Sequence, residues 1–99
     1  MTDASLWQMA ASDLAQKIAA GEISARDAVA ANIARMHDRN PAMNAVVDDL
    51  SEEAMVEAAR LDEVFAASGP VGPLHGIPVT IKENIDQKGH ATPNGIAAL

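Results

Sequence analysis

The chain has 99 residues, a formal net charge of −7 and an isoelectric point near 4.6. That length allows one small domain, able to bury about two thirds of its unfolded surface, and an acidic balance without a basic stripe excludes a nucleic-acid partner. The absence of cysteine excludes a disulfide framework and a thiolate zinc site.

Roughly half of the residues are apolar, but alanine and methionine supply much of that share, and Trp7 and Phe65 are the only large aromatics. The core is therefore expected to be thin. The chain opens Met1-Thr2-Asp3-Ala4 with no basic or apolar leader pattern, and nowhere do about 18 apolar residues run together. A cytoplasmic protein is expected, with no membrane partner.

Ser12 followed by Asp13 predicts a helix start over residues 12–20, with Leu14 and Ile18 on one apolar stripe and Gly21 ending it. Ser24 opens a second helix over 25–39. Asp27 stands three residues on as a capping-box variant, and Ile23 lies just before the cap. Val29, Ile33 and Met36 follow at helical spacing as far as Asn40-Pro41, where a proline predicts the stop.

Asn44-Ala45-Val46-Val47 predicts a brief strand, 44–47. A third helix over 52–67 is expected to use Ser51 as cap, with Glu52 and Glu53 facing the positive end of its dipole. Ala54, Ala58, Leu61 and Phe65 line its buried face, Arg60 and Glu63 point away, and Glu57 pairs with Arg60. Gly69 ends it.

Composition changes at that glycine, because five of the next ten residues are Gly or Pro. This divides the chain into a helical segment, 1–68, and a second segment, 69–99. The second holds a loop, a β-branched strand over 79–82, a polar turn and the start of another helix with Thr92 as cap and Pro93 at its first position. There are no internal repeats.

Few residues carry chemistry. His37, His75 and His90 stand alone and match no metal-ligand spacing, so neither a metal nor a cofactor is expected. Asp48-Asp49 and Glu52-Glu53 read as solvated partners of a helix dipole. Ser12, Ser24 and Ser51 read as caps, and no Gly-x-Ser-x-Gly elbow is present. Lys82 remains. A lysine ending a short strand is ordinarily a solvated charge, whereas an amine that acts as a base near neutral pH needs a desolvated setting. Spacing alone leaves both open.

The run Gly72-Pro73-Leu74-His75-Gly76-Ile77-Pro78-Val79-Thr80-Ile81-Lys82-Glu83-Asn84 resembles the lysine-bearing motif of the amidase signature family. Gly21-Glu22-Ile23-Ser24, Asn40-Pro41 and Asn44-Ala45-Val46-Val47 resemble that family's amino-terminal layout, so the resemblance runs from about Ser12 to Gly95. Glu83 stands where the family more often has Asp. The resemblance implies an α/β fold, in which these helices and first strands belong to a large mixed sheet covered by helices on both faces. It also implies hydrolysis of a small-molecule carboxylic amide by a Ser, cis-Ser, Lys triad, with Lys82 as the lysine. Pro73, Gly76 and Pro78 would hold the approach to it.

The family's two serines lie in a Gly/Ser-rich segment downstream of the lysine, and residues 1–99 hold no such segment. The 99-residue chain is therefore expected to be an incomplete piece, inactive by itself and marginally folded or homo-oligomeric, because two short strands seldom make a stable sheet. Two other classes stand beside this one. The chain could be an acidic helical interaction module, or Lys82 could attack a carbonyl substrate directly as a Schiff-base lysine.

Overall fold

A computed structural model describes residues 4–92. The helix expected from Pro93, with Thr92 as its cap, lies beyond Thr92 and outside the described residues. A 3₁₀ turn, Ala4–Gln8, precedes three α-helices: α1 (Ala11–Ala19), α2 (Ala25–Met43) and α3 (Ser51–Ser68). No strand is present among the described residues. None of these helices is long and apolar enough to cross a membrane.

Helix α2 is the middle layer. One of its faces places Ala28 and Ala31 against Leu6, Leu14 and Ile18, with Met9, Ile23 and Ile77 packed around them. The other places Ala25 and Val29 against Ala58 of α3, flanked by Ile33, Ala54, Met55 and Leu61. Small residues let the helices approach closely at the two seams, so the core is thin but double-sided. At the rim, Arg35 lies over the Trp7 ring at 3.9 Å from its centroid.

Helix ends explain the boundaries. Behind α1, Gly21 takes φ +76, its N–H donates to the Ile18 carbonyl, and the Glu22 N–H donates to the Lys17 carbonyl, a Schellman pattern. Ahead of α2, the Ser24 hydroxyl accepts from the Asp27 N–H at 3.0 Å and the Asp27 carboxylate accepts from the Ser24 N–H at 3.1 Å. This is the capping box that the spacing predicts.

Two predicted caps are corrected. Helix α1 begins at Ala11, one residue before Ser12, and its cap position, Ala10, makes no side-chain bond. Helix α3 begins at Ser51 itself. The acceptor there is Asp49, which takes the Ser51 N–H at 2.9 Å and also its hydroxyl.

The stop at Asn40-Pro41 and the strand 44–47 are corrected together. Helix α2 runs through Pro41 to Met43 and ends on Asn44 in the left-handed region, φ 51. The Asn40 side chain holds both backbone groups of Val46, donating to its carbonyl and accepting its N–H at 2.9 Å each. Backbone groups committed to a side chain are not free for a ladder. The strand 79–82 is corrected for a related reason: without a neighbouring strand, residues 77–82 have no regular structure, and Val79 and Ile81 are exposed.

Candidate functional site

Asp62 of α3 tethers the amino terminus of α2 across the helix pair. One carboxylate oxygen accepts the Ala25 N–H at 2.7 Å, and the other accepts the Arg26 N–H at 3.2 Å and its Nε at 3.0 Å. With the capping box, every N–H from Ser24 to Asp27 has a partner. This matters for the lysine motif because the motif is seated on that junction. Gly76 has φ +79, and a Cβ there would lie 3.0 Å from Ala25 Cβ and 3.1 Å from Ile18 Cδ1. Only glycine meets both the backbone and the space.

The residues on either side of Gly76 are bound as well. Ile77 packs into the cluster around Leu14 and Ile18, and its N–H closes a turn onto the Leu74 carbonyl at 3.0 Å. His75 is 5 % exposed. Its N–H donates to the Gly72 carbonyl at 3.2 Å, and its Nδ1 accepts the Val71 N–H at 3.2 Å. The ring is tilted against Phe65 of α3 at 5.8 Å between centroids.

Beyond this anchor the chain runs out along an open groove between α2, α3 and residues 71–91. Lys82 is exposed and lines the groove together with Met36, Glu57, His75 and Thr80. Its carbonyl accepts the Ile85 N–H at 3.0 Å, which turns the chain back. At the far end His90 sits between Glu53 and Asp48, at 3.3 and 3.8 Å.

The adjacent acids have unequal roles. Asp49 is held well below its ordinary value of 3.8, to about 2, first by the Ser51 hydroxyl, then by the Ser51 N–H and by His37. His37 Nε2 lies 2.7 Å from Asp49. The group links α2 to the start of α3 on an exposed surface, and Glu57 and Arg60 form the pair expected along α3.

Lys82 and Gly76 are thus joined by a five-residue run, with the glycine buried and the amine in the groove. Sequence reasoning missed Asp62 and the anchoring part played by His75. A faint signal for Asp62 existed, since it follows Ala58 by one turn on the face of α3 that packs against α2. Nothing in the spacing pairs it with residues 25 and 26.

Comparison with known proteins gives a consistent picture. The family model described as Amidase matches residues 27–99. An indoleacetamide hydrolase from Bradyrhizobium diazoefficiens is 47 % identical over 93 residues, covering 94 % of this chain and 18 % of its own length. A glutamyl-tRNA(Gln) amidotransferase subunit from Synechococcus sp. is 39 % identical over 77 residues, 78 % of this chain and 16 % of its own. An acetamidase from Emericella nidulans is 34 % identical over 89 residues, 89 % of this chain and 16 % of its own. The chain spans less than a fifth of the length of each of these curated relatives. No solved structure matches it.

Proposed function

The chain belongs to the Amidase family, and from that membership we propose that it carries the lysine base of an amide hydrolase, Lys82. The observation that supports this reading is the motif around Gly76 and Lys82, lying within a family match that covers residues 27–99. The reaction is cleavage of a carboxylic amide to acid and ammonia or amine. Lys82 takes the proton of a nucleophilic serine through a bridging hydroxyl, and the serine oxygen bonds the amide carbon. The C–N bond then breaks as the proton passes to the leaving nitrogen, and water releases the acyl group from the serine.

Both serines belong to a Gly/Ser-rich segment that residues 1–99 do not contain. The 99-residue chain alone therefore hydrolyses no amide. Purified, it should release no ammonia from indoleacetamide and take up no fluorophosphonate; stoichiometric labelling would overturn this. The exposed Val47, Val79 and Ile85 support the companion expectation that this polypeptide is marginally folded or self-associating. A sharp thermal transition from a dilute monomer would contradict that.

The direct test is a hybrid in which this chain replaces the matched segment of the Bradyrhizobium indoleacetamide hydrolase. The hybrid should release ammonia from indoleacetamide. Lys82→Ala should lower the rate by about 10²–10⁴-fold, and Lys82→Arg should not restore it, because a guanidinium does not give up its proton. An undiminished rate with Lys82→Ala would remove Lys82 from the mechanism.

A further inference from the structure

His75 is a buried histidine that the reaction above does not use. Its Nδ1 accepts the Val71 N–H, so that nitrogen carries no proton and the ring proton sits on Nε2. Among the described residues Nε2 has no partner. A side chain that only filled this space would be better as Leu or Phe, since a buried N–H without a partner is costly. The bond to Val71 is what distinguishes a histidine here from an apolar residue.

Chain lengths show what that bond can control. Helix α3 ends at Ser68, and the 14 residues from Gly69 to Lys82 could reach about 45 Å if nothing held them. Three successive residues do hold them: His75 on Val71 and Phe65, Gly76 on Ala25 and Ile18, and Ile77 in the core beside Leu14. From Ile77 the remaining reach to Lys82 is about 17 Å. The position of the amine is therefore set largely by how firmly 75–77 are seated.

We propose that His75 is a positioning residue for Lys82: with its proton on Nε2 it takes the Val71 N–H on Nδ1 and locks the loop from which the run to Lys82 departs. The proposal rests on the reading of Lys82 as the base. Gly76 and Ile77 supply packing, and the His75 ring adds a side-chain hydrogen bond to the backbone of the loop preceding them. The Phe65 ring lies against the imidazole, 5.8 Å away between centroids.

The test uses the indoleacetamide hydrolase hybrid, with ¹⁵N-histidine spectra of the imidazole and exchange of the backbone amides. Two variants separate bond from bulk. His75→Phe keeps a ring against Phe65 but offers no acceptor, and His75→Asn offers Oδ1 about where Nδ1 stands. In the wild type the proton should be on Nε2 and the Val71 amide protected. In His75→Phe that amide should exchange at least about tenfold faster, and order parameters at 79–82 should fall. His75→Asn should keep both within about threefold of the wild type, with the α2 amides unchanged throughout. A proton on Nδ1, an unprotected Val71 amide in the wild type, or two variants that behave alike would overturn the proposal. None of these signals depends on turnover, so loss of the catalytic reading through Lys82→Ala in the hybrid would leave them as they are.

Discussion

Residues 11–68 and residues 69–92 are held by different means. In the helical part most ends are closed locally, with Gly21 ending α1, the capping box opening α2, Asn44 ending α2 and Asp49 serving the first turn of α3, and Asp62 adds acceptors to the start of α2 from across the helix pair. In the second part, turns such as those from Gly72 to His75 and from Lys82 to Ile85 are closed by one backbone bond each, and the packing is concentrated at 75–77. Val71, Leu74, Val79, Ile81 and Ile85 stay exposed around that anchor. A helix satisfies its own backbone, whereas a segment without regular structure must find its partners elsewhere.

The strongest way to break that division is at Gly76, in the middle of the 75–77 anchor. Gly76→Ala should cost about 2–4 kcal/mol, combining a left-handed backbone with a Cβ forced against Ala25 and Ile18. Amides at 71–77 should lose protection first, and equal loss across α3 would show that the two parts are one cooperative unit. Asp62→Ala comes next, at about 1.5–3 kcal/mol in urea unfolding, because it strips acceptors from the Ala25 and Arg26 N–H groups. It should disturb the seat of Gly76 as well as the helix pair.

Ser24→Ala should cost about 1 kcal/mol and confine its effect to the first turn of α2, since only the Asp27 N–H loses its acceptor. The smallest effect is one of pH. Asp49 is held at about 2 in the folded chain against an ordinary 3.8, so its contribution is complete above about 3.8 and is lost as pH falls toward 2. The stability difference between the wild type and Asp49→Asn should vanish over that window. A difference that persists below pH 2 would mean that the Ser51 contacts do not need the charge.

Much of the site was legible because it is written in adjacent residues. The spacing of Gly76, Pro78 and Lys82 carried the family resemblance without any packing knowledge, and Ser24 with Asp27 announced its capping box. Asp62 and His75 were not legible in the same way. Asp62 acts on residues 36 and 37 positions away, and the chemistry of His75 depends on which backbone N–H its ring meets after the loop closes.

The sequence by itself determined three helices, the breaks at Gly21 and Gly69, and the amine on a β-branched run, because helix periodicity and glycine conformational freedom are local properties. Only the tertiary structure decided that α2 passes through Pro41, that Val46 is bound by Asn40 instead of a strand, and that Lys82 hangs from an anchor built on α1 and α2. Those outcomes turn on which groups meet across the fold: a backbone N–H takes whichever acceptor arrives, and a strand forms only where another strand is beside it.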